Sequence, residues 1–83
     1  MNYELTKHAQ TVVLERRIAV EWIERALASP EAVRPDETDP ALEHRLCRIP
    51  EHGQRVLRVI VARTATPLRV VSAYFDRRMR GRL

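Results

Sequence analysis

The sequence predicts an α+β domain in which two N-terminal helices pack on one face of a three- to four-stranded antiparallel sheet. Two observations predict this class. Apolar residues recur at helical spacing over the first third of the 83-residue chain, and beyond a polar loop at residues 34–40 the period changes to two. A single domain over residues 1–83 is expected, because a chain of this length builds one modest core.

The two helices are predicted over about residues 6–16 and 19–28. Thr6 is the N-cap candidate of the first helix, and Pro30 ends the second. Each helix carries an apolar stripe that is typical of packing on a core. In the first helix this stripe consists of Leu5, Ala9, Val12 and Val13. Residues 2–5, before the first helix, are a candidate short strand.

The second part of the chain predicts a meander of three strands. The strands are expected at about residues 42–49, 55–63 and 68–75, with turns at 50–53 and 64–67. A short strand near residues 32–34 would extend the sheet, and residues 76–83 form a basic tail. In the middle strand Leu57, Val59 and Val61 are expected to face the helices, which leaves Arg58 on an open face.

Positive charge is concentrated in this second part. Residues 1–51 hold seven Lys/Arg and ten Asp/Glu, a net charge of −3, whereas residues 52–83 hold eight Arg and one acid, Asp76, a net charge of +7. Arginine presents a planar, always charged fork that donates two hydrogen bonds to a phosphate. A basic segment of this kind favours a polyanionic partner, with RNA or DNA first.

The sequence predicts no membrane span, no metal and no cofactor. Apolar stretches such as residues 59–62 are far too short to cross a bilayer. Cys47 is the only cysteine and is expected to pack as a small hydrophobe, and no metal-binding or phosphate-cradling motif is present. The expected location is the cytoplasm.

Two residues of the first helix are candidates for chemistry. Arg16 continues the apolar stripe, so it either reaches carbonyl groups at the helix end or points into a cleft to hold phosphate. His8 lies in the first turn, where the helix dipole favours a neutral ring that can accept a proton. The alternative for His8 is a structural or merely exposed side chain.

The remaining candidates lie in the basic segment. Arg58 and Tyr74 are candidates on the strands, with Tyr74 or Phe75 able to stack on a base. The candidate nucleic-acid-binding residues are Arg63, Arg69, Arg77, Arg78, Arg80 and Arg82. For the residues after 76, the alternative is a solvated terminus without a specific role.

Four segments resemble a small bacterial family, catalogued as domain of unknown function 4258, over nearly the whole chain. They are Leu-Thr-Lys-His-Ala at 5–9, Leu-Glu-Arg-Arg-Ile at 14–18 with Ile-Glu-Arg-Ala-Leu at 23–27, and Val-Val-Ser-Ala-Tyr at 70–74. The chain departs from the family pattern at Ala19, where a Ser or Thr cap is usual, and at Arg17, where a small residue is usual. His8, Arg16 and Tyr74 match family positions.

That family is similar in layout to RelE/ParE-like and BrnT-like toxins. The resemblance implies a toxin-type endoribonuclease that needs no metal, with a small antitoxin protein as partner beside RNA or the ribosome. Lys7 is the only lysine, so RelE-type catalytic lysines have no counterpart. The catalytic set expected here is therefore His8 as base or acid, Arg16 and Arg58 on the phosphorane, and Tyr74 as stacking group or donor.

Two alternatives to the nuclease differ in what they predict. A non-catalytic RNA- or ribosome-binding module needs the arginines but not His8. A protein-interaction domain that uses the Trp22 helix predicts no affinity for nucleic acid.

Overall fold

The computed structural model describes residues 2–83 and contains two helices and five strands. In chain order these are β1 (Tyr3–Leu5), α1 (Lys7–Glu15), α2 (Val20–Ala28), β2 (Ala32–Pro35), β3 (Leu42–Ile49), β4 (Arg55–Ala62) and β5 (Leu68–Phe75). Short 3₁₀ turns cover Pro50–His52 and Arg77–Met79. The α+β class is confirmed, and both helices and the three main strands lie within two residues of their predicted bounds. No helix within residues 2–83 has the length and apolar character needed to span a membrane.

The sheet has five strands and is mixed, so the prediction of three to four antiparallel strands was wrong in both respects. The strand order is β1-β5-β4-β3-β2. β2, β3, β4 and β5 form the antiparallel meander, whereas β1 pairs parallel with β5. A three-residue strand has too little pattern to identify a partner more than sixty residues away, because pairing at that distance depends on how the helices between them fold.

Both ends of α1 are stabilised by local hydrogen bonds. The Thr6 hydroxyl accepts a hydrogen bond from the backbone N–H of Ala9 at 3.1 Å, as the sequence predicted. At the other end Ile18 N–H donates to the Val13 carbonyl and Arg17 N–H to the Leu14 carbonyl, which is a Schellman motif. Arg17 has the left-handed φ of 53° that this motif requires, a position where glycine is usual.

The main core lies between the two helices and one face of the sheet. It contains buried helical residues together with alternate strand residues: Ala9, Val13, Ile18, Ile23, Ala26, Leu27, Cys47, Ile49, Leu57, Val59, Val61, Val70 and Ala73. The expectation that Leu57, Val59 and Val61 face the helices is therefore confirmed. Burial raises the pKa of the Cys47 thiol, which fits a packing role.

The opposite side of the sheet, which carries no helix, is called the helix-free face. On β4 it consists of Val56, Arg58 and Ile60. The pairing of β4 with β5 shifts register between Ile60 and Val61, which is a β-bulge on the β5 side. Because of this bulge, simple alternation along β5 does not assign Tyr74 to a face. The helix-free face is less open than expected, since Val56 is buried and the Arg77–Met79 turn contacts β4.

Candidate functional site

Four polar side chains form a staggered row across the helix-free face, one from each strand of the meander. Arg34 on β2 is the register partner of His44 on β3, and Arg58 on β4 is the register partner of Tyr74 on β5. His44 and Arg58 are joined directly, because Arg58 Nη1 lies 2.9 Å from His44 Nδ1. The two pairs are offset by two residues, since His44 is the register partner of Ile60 and Arg58 that of Leu46. Diagonal neighbours on one face of an antiparallel sheet remain within reach of long side chains, so His44 and Arg58 meet.

The row borders an open hollow of about 680 Å³, called the helix-free hollow. Its wall is completed by the loop after β2 and by the 3₁₀ turn after β5. The residues that line it are Arg34, Pro35, Asp36, Glu37, Thr38, His44, Arg58, Tyr74 and Arg78. This volume is within the usual range for sites that hold small ligands.

A hydrogen-bonded chain sets the tautomer of His44. A guanidinium has only donors, so the contact from Arg58 makes Nδ1 of His44 an acceptor and leaves the ring proton on Nε2. His44 Nε2 then donates to Asp36 Oδ1 at 2.7 Å. Since both ring nitrogens are paired, the neutral imidazole is held in one orientation. Its side chain is only 14% exposed.

Asp76 anchors the other end of this chain of contacts. Arg58 donates from Nε at 3.0 Å and from Nη2 at 2.9 Å to Asp76 Oδ2, and the Arg78 backbone N–H donates to Oδ1 at 3.0 Å. Burial raises the pKa of Asp76, but the hydrogen bonds from Arg58 and Arg78 and both guanidinium charges outweigh it and hold the pKa below its usual range. Asp76 is therefore the buried counter-ion that positions Arg58.

The arrangement leaves two cations and a phenol free to meet a ligand. Arg34 donates only to its neighbour's carbonyl and Arg78 is 86% exposed, although its Nε lies 3.6 Å from Asp76. Tyr74 borders the hollow without a hydrogen-bond partner for its hydroxyl within residues 2–83. Exposed guanidiniums beside an aromatic ring suit a phosphate that is joined to a base.

The four predicted catalytic residues divide into two pairs on different parts of the fold. Arg58 and Tyr74 lie together on the helix-free face. His8 is exposed on α1, which packs on β1 and β5, and Arg16 donates from Nη1 to the Ala73 carbonyl at 2.7 Å. Arg16 thus reaches a backbone carbonyl, the alternative that the sequence left open, although the carbonyl belongs to β5. The structure therefore brings Arg58 and Tyr74 together but does not bring His8 or Arg16 to them.

The predicted nucleic-acid-binding arginines also differ in their surroundings. Arg69 is paired with Glu4 at 3.1 Å, whereas Arg63 and Arg82 are exposed without a carboxylate partner in the described chain. Arg78 borders the helix-free hollow. Arg77 and Arg80 border a second hollow, of about 410 Å³, which they share with Arg55, Phe75 and Asp76. The segment after β5 is therefore not a free tail.

Sequence reasoning missed Arg34, Asp36 and His44. Among residues 2–83 no group of three or more His, Cys, Asp or Glu side chains is placed to hold a metal. The usable signal was the short strand near residues 32–34. Pairing that strand with β3 as a hairpin would have placed Arg34 opposite His44.

The contact with His44 predicts a titration shift in Asp36. The hydrogen bond from His44, followed by those from the backbone N–H groups of Asp39 and Thr38, lowers the pKa of Asp36 from 3.8 to about 2. Because the folded-state value is the lower one, this stabilisation is present above pH 3.8 and is lost as the pH falls toward 2. We expect His44→Ala to raise the pKa of Asp36 toward 3.8, as measured by NMR titration of its carboxyl carbon. An unchanged value in the variant would contradict the assigned contact.

The fold and this site define an α+β domain whose helix-free sheet face carries a histidine–arginine network held between two aspartates. Within that class, the chain belongs to the family described as domain of unknown function (DUF4258), whose model matches residues 5–75. The resemblance noted in the sequence is thereby confirmed. No curated protein and no solved structure matches the chain.

Proposed function

We propose that this domain binds RNA through its helix-free face, as a cytoplasmic toxin-type protein similar in layout to RelE/ParE-like and BrnT-like toxins. The observation that carries the proposal is the row of Arg34, His44, Arg58 and Tyr74 beside the helix-free hollow. It combines phosphate-binding groups with an aromatic ring on a sheet surface, and Arg58, Tyr74 and the neighbouring Arg78 come from the segment in which positive charge is concentrated.

Ion pairs within the chain leave some of the cations at this face without a close carboxylate partner. Of the two arginines in the row only Arg58 is fully engaged, and its partner Asp76 also holds the Arg78 backbone. Arg34 and the Arg78 side chain remain available, so an incoming phosphate meets positive charge without first breaking a strong pair. The Trp22 helix supports the protein-interaction alternative less well, because Trp22 packs within the chain on His52 and Phe75 at centroid distances of 5.0 and 5.9 Å.

The test measures RNA binding by a double variant in which two arginines of this face are replaced by alanine. Fluorescence anisotropy with a 5′-labelled single-stranded RNA, in EDTA and over a series of salt concentrations, compares the wild type with Arg34→Ala/Arg78→Ala. We expect the pair to weaken binding about tenfold or more and to reduce the slope of log affinity against log salt by about 1.4, since each phosphate contact on a single strand contributes about 0.7.

The matched control is Lys7→Ala/Arg17→Asn. It removes the same charge from exposed positions on α1 and on the α1–α2 turn, and asparagine tolerates the left-handed backbone of position 17. If both pairs weaken binding equally, the effect is general charge and the helix-free face is not the site. Absence of RNA binding by the wild type would reject the proposal outright.

A second candidate function, metal-independent cleavage of RNA, is favoured by the Asp36–His44 contact. A carboxylate behind Nε2 orients the ring, and Nδ1 is the nitrogen that faces Arg58. When a phosphate takes over the hydrogen bond from Arg58, Nδ1 becomes free to accept a proton, with Asp36 stabilising the imidazolium that forms. In this version His44, and not the exposed His8, is the base.

The cleavage step needs nothing that the protein and RNA do not supply. His44 Nδ1 takes the proton of the 2′-hydroxyl, the 2′-oxygen forms a bond to phosphorus, and the bond from phosphorus to the 5′-oxygen breaks. The Tyr74 hydroxyl donates a proton to the leaving 5′-oxygen, and Arg58 stabilises the phosphorane charge. The products carry a 2′,3′-cyclic phosphate and a 5′-hydroxyl, and solvent restores both side chains.

A neutralising antitoxin belongs to the same proposal. Such a partner would compete with RNA for Arg34 and Arg78 on the helix-free face, so an acidic segment is the expected chemistry. Charge complementarity of this kind mainly raises the association rate, and it is screened by salt.

A further inference from the structure

The second hollow has a different composition from the helix-free hollow and is called the β5-end hollow. It lies where β4 begins and β5 ends, and Arg55, Phe75, Asp76, Arg77 and Arg80 line its volume of about 410 Å³. None of these side chains except Asp76 belongs to the network around His44. The hollow is therefore a separate feature that needs its own explanation.

Three of its side chains are cations without a partner. Arg55, Arg77 and Arg80 are exposed, and none forms an ion pair within residues 2–83. The only carboxylate in the hollow is that of Asp76, which is committed to Arg58 and to the Arg78 backbone. Three free guanidiniums around one hollow favour an anion with several acceptor oxygens, and phosphate is the natural match.

The hollow also contains an aromatic ring that is held in place. Phe75 is half-buried and lies in a cluster with Trp22 and His52, at centroid distances of 5.9 and 4.8 Å. A ring fixed in this way offers a surface for stacking at little entropic cost. Phosphate groups beside a stacking surface correspond to a nucleotide whose base is unpaired, as in a single strand.

The two hollows adjoin at Asp76. This residue bonds to Arg58 and Arg78 of the helix-free hollow and itself lines the β5-end hollow. The two hollows are therefore neighbours on the surface around the end of β5. We propose that the β5-end hollow is a nucleotide subsite for single-stranded RNA, which stacks one base on Phe75 and binds the adjoining phosphate through Arg55, Arg77 and Arg80. This inference rests on the RNA-binding function proposed above.

Trp22 gives a local reporter for this subsite. It is the only tryptophan in the chain, and its ring makes a T-shaped contact with that of Phe75. An unlabelled RNA of ten adenines, added to the full-length protein in EDTA, is therefore expected to quench Trp22 emission. The quenching should saturate over the same concentrations as the anisotropy change of the labelled oligomer.

Two variants test the groups that build the subsite. Arg55→Ala/Arg80→Ala is expected to weaken RNA binding about tenfold, and Phe75→Leu also about tenfold, since stacking on an aromatic side chain contributes roughly 1–3 kcal/mol per base. Phe75→Leu alters a residue next to the core, so its thermal unfolding is measured first. The arginine pair is on the surface and tests the proposal independently of that result. Lys7→Ala/Arg17→Asn is again the charge-matched control.

The outcomes separate this inference from the proposed function. Two results reject the subsite without affecting the proposal for the helix-free face. One is RNA binding detected by anisotropy without any change in Trp22 emission. The other is an RNA affinity of Arg55→Ala/Arg80→Ala that is no lower than that of the control Lys7→Ala/Arg17→Asn. If Arg34→Ala/Arg78→Ala binds RNA with the wild-type affinity and RNA still quenches Trp22, the subsite is supported and the helix-free face is rejected as an RNA-binding site. No binding by either readout rejects both.

Discussion

Asp76→Ala is expected to destabilise the domain by about 3–5 kcal/mol, the usual effect of removing one partner from a buried ion pair. The side chains of Asp76 and Arg58 are only 3% and 14% exposed, and the carboxylate also accepts from the Arg78 backbone N–H. Its loss leaves a charged guanidinium without a counter-ion and a backbone donor without a partner. For a domain of this size that is a large part of a total stability of roughly 4–12 kcal/mol. Chemical denaturation followed by circular dichroism measures the change.

A double-mutant cycle distinguishes the ion pair from loss of packing alone. Arg58→Met replaces the guanidinium with an apolar side chain that needs no counter-ion. In the double variant Asp76→Ala/Arg58→Met, we expect the destabilisation to be smaller than the sum of the single variants by at least about 1 kcal/mol. Strictly additive effects would show that the two side chains act independently, and the description of Asp76 as the anchor of the site would then be wrong.

His44→Gln is expected to lower RNA cleavage at least about 100-fold if the second candidate function is correct, which is the range for loss of a general base. Glutamine is polar and of similar length, so RNA affinity should change less than about threefold. The assay is incubation with labelled RNA in EDTA, and the product scored is the 2′,3′-cyclic phosphate.

His8→Ala is the informative comparison in the same assay. His8 is exposed on α1 and was the base expected from the sequence, whereas His44 is held between Asp36 and Arg58. Loss of cleavage in His44→Gln alone assigns the base to His44, and loss in His8→Ala alone returns that role to α1. Intact RNA with the wild type, with and without ribosomes, would leave the domain as a binding module.

The parts of the fold that depend on local interactions, namely the helix ends and the buried face of β4, could be predicted from the sequence. Thr6 caps α1, Pro30 follows α2, and the alternation of Leu57, Val59 and Val61 assigns the buried face of β4, since each signal depends on neighbours within a few residues. Parallel pairing of β1 with β5 was not predictable in this way. It joins the two ends of the chain, and nothing in a three-residue strand specifies its partner.

The site could be predicted only in part, for the same reason. Arg58 and Tyr74 were both singled out and do lie side by side, but the face that Tyr74 shares with Arg58 could not be read along β5, because a bulge shifts its register. His44 gained its partners from three separate segments, namely the loop that holds Asp36, the strand β4, and through Arg58 the end of β5. Each pair is eight or more residues apart, so no spacing in the sequence marks it.

By itself, the sequence determined the class of the domain, the positions of its helices and main strands, and a strongly basic second part, because these properties follow from side-chain period and charge along the chain. Only the tertiary structure decided which cations are neutralised and which are free: Arg58 meets Asp76 and Arg69 meets Glu4, while Arg34, Arg55, Arg77 and Arg80 border two hollows. The physical reason is that a charge acts through its neighbours in space, and here those neighbours are brought together by strand pairing across the whole chain.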